Sequence, residues 1–229
     1  MPHVCLLWLC CASPLFAGEQ LELTQVVFAE TEPGVPSYPS RLLLGQDYLR
    51  LDDGSDNGDY ILFEPSSGEI HSFNHEDQTH LKISPPAASP PDFELEFSVE
   101  KRVLEDAPLI DGHQPVEHVF IANGQRCRRS VNAAGLLPEV LAQFKAYQQT
   151  LVAQALQTLE RLPASMRKPC YMANNYLHAV DYLDAGFPLY VEDEDGSTRQ
   201  LVSFSRVSKP ASMMHFVEDY RPYFAAGPD

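Results

Sequence analysis

The sequence predicts an α+β fold in which a curved antiparallel β-sheet, an incomplete barrel, packs against one long and one short α-helix. Short β-rich runs separated by turn residues fill the first part of the chain. A stripe of apolar residues at helical spacing follows, and β-rich runs return near the end. Because strands and helices are segregated rather than alternating, the order favours α+β over a doubly wound α/β fold.

The amino-acid composition and the net charge exclude some classes of function. The chain has 229 residues, 44% of them hydrophobic, with 19 prolines and a formal net charge of −16. The usage is that of a globular protein, and the length fits a single domain over residues 18–229. Nucleic acids and anionic lipid surfaces attract clustered Lys and Arg, so the acidic balance disfavours both as partners.

Residues 1–17 are predicted to be a signal peptide. The first 18 residues contain no Asp, Glu, Lys or Arg, and the apolar run at 4–12 is too short to span a bilayer. Cleavage is expected after Ala17, with Ala12 as an alternative, which makes the mature protein exported and periplasmic or secreted. Two readings stay open: a buried N-terminal element, and a lipid anchor on Cys10 or Cys11.

Export leaves two cysteines in the mature chain, Cys127 and Cys170. An even number in an oxidising compartment predicts a disulfide between them. Two separate buried thiols are the alternative. A metal pair is disfavoured because neither cysteine has C-x-x-C spacing.

The first half of the chain predicts a β-meander. Its strands are expected at residues 21–29, 41–51 (bent at Gly45), 60–63, 69–73 and 79–83. Residues 84–91 contain four prolines and predict one extended loop within the domain. Strict alternation then predicts a strand, one face of which consists of Phe93, Leu95, Phe97 and Val99. Two further strands flank Asn123-Gly124, which is a hairpin signal.

The second half predicts helices and a return to strands. Pro138 suits a first helical position, and the apolar stripe continues to Pro163, so a helix of roughly 23 residues is expected. A shorter helix is predicted at 171–183. Strands are predicted at residues 187–191, 198–204 and 213–217.

Three runs of the first half resemble a known family. They are Leu44–Asp53, Tyr60–Phe63 and Ile70–Thr79, and they are similar to runs in exported bacterial proteins related to the LolA/LolB-like periplasmic superfamily. The resemblance implies an incomplete β-barrel with helices filling the opening, a shape that holds acyl chains in some relatives.

A candidate apolar groove follows from these patterns. The helix stripe containing Leu141, Phe144 and Leu156 is expected to face the strand residues Phe93, Leu95 and Phe97. A gap between the two faces would hold an apolar ligand or partner segment. The alternative is a closed core, since protein interiors normally close-pack.

The sequence also contains two sets of candidate metal ligands. His71, His75 and His80 carry the nitrogen ligands that zinc prefers. Asp53, Ser55, Asn57 and Glu64 fall at positions 1, 3, 5 and 12 of an EF-hand-like calcium loop, although the flanking runs predict strands rather than helices. For both sets the alternative is ordinary turn and strand residues.

No catalytic motif is present, and no cofactor is predicted. The sequence contains neither G-x-S-x-G nor a glycine-rich phosphate loop. The basic cluster Arg126, Arg128 and Arg129 is expected to pair with acidic residues such as those at 193–195. The sequence therefore predicts a non-catalytic exported protein that binds or carries an apolar ligand. A structural module with a filled core and a histidine-based metal protein are the alternatives.

Overall fold

The computed structural model describes residues 19–87 and 93–223. The predicted signal peptide and the end of the proline-rich loop therefore lie outside the described residues. Twelve strands form one sheet. They are β1 (Gln20–Thr31), β2 (Tyr38–Leu44), β3 (Leu49–Asp52), β4 (Tyr60–Glu64), β5 (Glu69–Asn74), β6 (Thr79–Ile83), β7 (Phe97–Val103), β8 (Pro115–Ala122), β9 (Gln125–Ala133), β10 (Phe187–Asp193), β11 (Thr198–Pro210) and β12 (Arg221–Pro222).

The sheet consists of two meanders joined along one long pairing. Its order is β12-β6-β5-β4-β3-β2-β1-β11-β10-β9-β8-β7. All neighbouring strands pair antiparallel except β12 and β6, which form a short parallel pair. Strand β1 pairs with β11 from Gln20↔Pro210 to Thr31↔Thr198, with one bulge between Val27 and Phe28. This pairing makes one sheet of segments that lie far apart in the sequence.

Three α-helices lie between β9 and β10: α1 (Pro138–Leu156), α2 (Pro169–Met172) and α3 (Asp181–Asp184). Helix α1 begins at Pro138 as predicted, but it ends about one and a half turns before the predicted stop. The Thr158 hydroxyl and amide both bond to the Ala155 carbonyl, which tightens the chain into 3₁₀ turns. The predicted second helix is interrupted by a π-helical turn, Ala173–Leu177.

The predicted architecture is therefore wrong. An incomplete barrel with one long and one short helix was expected, whereas a twelve-stranded mixed sheet carries one helix of 19 residues and two of four. Several local predictions also differ. The strand expected from Phe93 starts at Phe97, and as an edge strand it leaves Val99 46% exposed. The strand expected at 213–217 does not form, because Ala211–Met214 is a 3₁₀ turn and residues 215–217 belong to no strand.

A different segment of the chain packs against each face of the sheet. Helix α1 packs Val140, Phe144 and Tyr147 onto the first face, where they join the main core with Phe28, Phe63, Ile70, Phe120 and Phe187. The C-terminal tail, residues 211–223, covers the second face of the first meander, where Met213, Met214, Phe216 and Tyr220 pack against Leu43, Leu62 and Phe73. No helix among the described residues is long and apolar enough to cross a membrane.

Candidate functional site

A cleft of about 620 Å³ opens on the first face of the sheet. Strands β1, β2, β10 and β11 form its floor, the last turns of α1 form one wall, and the segment 169–184 forms the other. We call it the α1 cleft. Most of the residues that line it have polar side chains, and the full set is Glu30, Thr31, Glu32, Tyr38, Ser40, Arg128, Gln148, Leu151, Val152, Ala155, Tyr171, Asn174, Asn175, Tyr176, Ala179, Tyr182, Val191, Asp193, Ser197, Thr198 and Arg199.

An ion pair lies on the floor of the α1 cleft. Arg199 and Glu30 are direct partners in the β1–β11 pairing, and Arg199 Nε donates to Glu30 Oε1 at 2.6 Å. Ser40 Oγ donates to the same oxygen at 2.6 Å. The guanidinium lies over the rings of Phe28 and Phe144, 5.6 and 5.4 Å from their centroids. These contacts fix the position of the pair without using all of its hydrogen-bonding groups.

The unused groups of this pair face the cleft. The Arg199 side chain is 30% exposed and that of Glu30 is 11% exposed. Among the described residues, the two terminal nitrogens of Arg199 and Oε2 of Glu30 have no hydrogen-bond partner. A guanidinium with free donors thus lies next to a carboxylate with a free acceptor.

Tyr38 borders this pair at the cleft rim. Its hydroxyl donates to Glu32. That hydrogen bond, together with burial and the negative charges of Glu32 and Glu30, raises the pKa of Tyr38 to about 12. The phenol therefore stays neutral at any physiological pH.

Arg128 holds the opposite wall in place. Its Nε and Nη2 contact the two carboxylate oxygens of Asp193 at 2.6 and 3.1 Å, and Nη1 donates to the Ala179 carbonyl at 3.0 Å. Asn174 donates to the Cys127 carbonyl at 2.9 Å. The predicted pairing of the arginine cluster with acidic residues near 193–195 is confirmed for this residue. Arg128 is fully engaged within the protein and ties the segment 169–184 to the sheet.

The disulfide anchors the same wall. Cys127 of β9 and Cys170 of α2 are bonded with an Sγ–Sγ distance of 2.02 Å, as the sequence predicts. Both half-cystines are buried and lie against Leu95 and Phe97. The bond therefore holds the beginning of the segment 169–184 against the sheet.

The predicted apolar groove is distributed over several sites. Phe144 is 1% exposed in the main core, and Leu141 packs against that core. Leu95 packs against the disulfide, whereas Phe97 contacts both clusters and stacks on His178 at 3.5 Å. The half-buried Phe93 and Leu156 belong to neither of these clusters as described. The apolar wall of the α1 cleft consists instead of Leu151, Val152 and Ala155.

The three histidines of the first metal candidate separate into a pair and a single residue. His71 Nδ1 lies 3.0 Å from His80 Nε2 across β5 and β6. His75 lies in the turn between them, where its Nδ1 is 2.5 Å from the Tyr220 hydroxyl. Burial lowers the pKa of both His71 and His80, with the neighbouring histidine and Lys82 as secondary causes for His71. Glu69 and Glu64, rather than His75, lie beside His71.

The calcium candidate is not assembled. Asp53, Ser55 and Asn57 lie in the loop between β3 and β4, whereas Glu64 is the last residue of β4, at the far end of that strand from the loop. Asp53 Oδ1 accepts the Ser55 amide at 2.9 Å, which is an ordinary turn bond. Arg41 and Lys209 supply positive charge to this loop: Arg41 reaches the neighbouring Asp52 and Asp56, and Lys209 Nζ lies 2.8 Å from Asp56 Oδ2.

Sequence reasoning did not identify Glu30 or Arg199. They are 169 residues apart and meet only through the β1–β11 pairing. One signal was available: Glu30 continues the inward alternation of Val26 and Phe28, so it places a charge on the buried face of a strand. A charge on an inward-facing position indicates a partner or a function.

Comparisons with known proteins leave the family open. No family model matches the chain, and no curated protein matches it. Two solved structures of PNGF-II are similar. The C2 form shares 9% identity over 89% of this chain and 31% of that chain, with a TM-score of 0.44. The P2₁ form shares 11% identity over 88% of this chain and 31% of that chain, with a TM-score of 0.43. The chain spans about a third of that protein's length, and a likeness at this level carries no argument. The LolA/LolB-like resemblance stays a prediction.

Proposed function

We propose that the protein is an exported, non-catalytic binding protein whose α1 cleft holds a small polyhydroxylated ligand such as a sugar unit. The observation that carries the proposal is the Arg199–Glu30 pair, with free donors on one residue and a free acceptor on the other. Two neighbouring hydroxyl groups match this pattern, because one donates to the carboxylate while the other accepts from the guanidinium. Hydrogen bonds to charged groups contribute roughly 1.5–3 kcal/mol each.

The walls support the same ligand class. Tyr171 and Tyr176 lie with their ring centroids 5.9 Å apart, and both line the cleft with Gln148 and Asn175. Tyrosine rings offer an apolar surface with a polar tip, and the amides add donors and acceptors. A sugar has one apolar CH face and a rim of hydroxyls, which is the complementary arrangement.

An acyl chain fits this floor less well. Covering the Arg199–Glu30 pair with hydrocarbon would remove water from both charges without replacing its hydrogen bonds. Desolvating an ion pair in this way costs several kcal/mol. Leu151, Val152 and Ala155 line one wall of the cleft, whereas the charged pair lines its floor.

The test is direct binding with defined probes. The purified protein is screened on an array of oligosaccharides, and hits are titrated by NMR against Arg199→Met and Glu30→Gln. We expect each variant to weaken binding by about 10–100-fold, the equivalent of one lost charged hydrogen bond. Arg126→Met is the matched control, because Arg126 pairs with Glu192 at 3.0 Å but lies outside the cleft lining.

Two outcomes overturn the proposal. One is binding of the apolar dye N-phenyl-1-naphthylamine in the cleft with no glycan bound at millimolar concentration. The other is equal loss in Arg126→Met and Arg199→Met. If Arg199→Met fails to fold, Asn175→Ala at the exposed rim of the same cleft takes its place. Cleavage of a bound oligosaccharide would contradict the non-catalytic part.

A further inference from the structure

A cluster of two carboxylates and one imidazole lies on the other face of the sheet, at the β4–β5 hairpin. Glu64 and Glu69 are paired directly across this hairpin, and the side chain of His71 follows on the same face of β5. One ligand atom from each of these residues lies within 4.8 Å of the others. Like charges directly opposite each other destabilise a strand pair. The Ser67 and Ser84 hydroxyls donate to Glu64 and Glu69, and Lys82 is the one cation among the described residues that pairs with either carboxylate.

His71 directs a buried, unpartnered nitrogen toward these carboxylates. The residue is 6% exposed, and its Nε2 has no hydrogen-bond partner among the described residues. Glu69 Oε2 lies 3.6 Å from this nitrogen, which is too long for a hydrogen bond. A buried polar atom without a partner normally costs about 1–3 kcal/mol, so its position calls for an explanation.

We propose that Glu64, Glu69 and His71 form a binding site for a divalent transition-metal ion of the Zn²⁺ class. Two carboxylates and a neutral imidazole match a +2 ion in charge and in ligand type. Ligand atoms about 2.1 Å from a tetrahedral zinc lie about 3.4 Å apart, close to the 3.6 Å between His71 Nε2 and Glu69 Oε2. A water molecule would complete the coordination.

His80 orients the imidazole from the other side. A metal on His71 Nε2 requires the proton to be on Nδ1, and Nδ1 lies 3.0 Å from His80 Nε2, which accepts it. Phe216 packs edge-on against the His71 ring at 4.6 Å and shields the site from the tail side. Such outer contacts fix the tautomer and the ring orientation of metal-binding histidines.

Lys82 is the competitor for this site. Its Nζ lies 2.8 Å from Glu69 Oε2, and its side chain is 51% exposed. A metal ion would displace this flexible ammonium into solvent. Removing the amine therefore removes a competing cation, and Lys82→Met is expected to bind the metal several-fold more tightly.

The experiment uses the full-length protein stripped with a chelator. Zn²⁺ is titrated by calorimetry, and Co²⁺ absorption reports tetrahedral coordination. We expect one ion per chain, with affinity reduced at least 10-fold in His71→Gln and in Glu64→Gln. His75→Gln and Glu76→Gln are the matched controls, because they lie at the other end of the β5–β6 hairpin outside the cluster. Their affinity is expected to be unchanged.

Three results overturn the inference: no heat and no cobalt spectrum at millimolar metal, equal loss in the control variants, or weaker binding in Lys82→Met. Because His71 is buried, His71→Gln carries the risk of misfolding. The half-buried Glu64 and the exposed amine of Lys82 keep the test independent of that variant. The site lies on the opposite face from the α1 cleft, so its failure leaves the sugar proposal unaffected.

Discussion

Asp52 is the carboxylate on which two buried arginines of the second face depend. Its side chain is fully buried. It accepts from Arg41 Nε and Nη2 at 2.8 and 2.9 Å, from Arg50 Nε at 2.6 Å, and from the Gly54 amide at 2.9 Å. Replacing Asp52 with Asn keeps the shape of the side chain but removes the charge and one acceptor oxygen.

The loss of folding stability in Asp52→Asn depends on the partners that the two arginines keep. Arg50 is 2% exposed, and its other partners within the described part of the chain are neutral: the Met213 carbonyl at 2.8 Å and the Tyr60 ring at 4.1 Å. Arg41 keeps Asp56 at 2.8 Å. Breaking a buried ion pair from one side costs about 3–5 kcal/mol, because the other charge stays buried without compensation.

Urea unfolding measures this cost. At this chain length we expect Asp52→Asn to lose ~3–5 kcal/mol, equivalent to a fall in Tm of about 6–20 °C. Asp53→Asn is the matched control, since Asp53 is exposed and contributes only a turn bond to the Ser55 amide. It is expected to change stability by less than about 0.5 kcal/mol. A loss below about 1 kcal/mol in Asp52→Asn would refute the reasoning.

Three further predictions concern stability. Cys127→Ser or Cys170→Ser removes the disulfide between two residues 43 positions apart and should lower the free energy of unfolding by about 2–4 kcal/mol. An unchanged urea midpoint in either variant would refute a stabilising disulfide. Burial, together with the positive charge of Lys101, lowers the pKa of His118 in the folded protein. As the pH falls, the histidine is therefore protonated in the unfolded chain before it is protonated in the folded protein, and the free energy of unfolding decreases below about pH 6.5. His118→Gln should therefore lose less stability than the wild type between pH 7.5 and 5.5, and parallel pH curves would contradict this. Gly186→Ala should cost more than about 2 kcal/mol, because φ is +121° and a Cβ would meet the backbone of β9 at 2.8 Å. Gly124→Ala, with a positive φ but open space, is the milder control, and equal losses would remove the steric argument.

Local elements were predictable where the sequence carries a local signal. Asn123 and Gly124 adopt φ of 49° and 74°, as a tight hairpin turn requires, and α1 starts at Pro138. The run 41–51 shows the limit of this approach. It forms two strands rather than one bent strand, because the Gly45 amide bonds to the Tyr48 carbonyl and reverses the chain.

Segments whose conformation depends on contacts with residues far away in the sequence could not be predicted from local patterns. The alternation at Phe93, Leu95 and Phe97 indicated a strand with one buried face. Leu95 instead packs on the disulfide before β7 begins, since it has a partner there that only folding supplies. The π-helical turn at 173–177 likewise occurs where Asn174 donates to the Cys127 carbonyl.

The sequence by itself determined the strand-rich first half, the start of α1, the cysteine pairing and the acidic charge. These follow from nearest-neighbour chemistry: turn residues, period-two and helical patterning, and the count of thiols. Only the tertiary structure decided that β1 pairs with β11, and with it the twelve-stranded sheet, the Arg199–Glu30 pair and the α1 cleft. The physical reason is that this pairing joins strands from opposite ends of the described chain, from Gln20↔Pro210 to Thr31↔Thr198. The alternation within a strand specifies the face on which each residue lies, but it does not specify which distant strand becomes the neighbour.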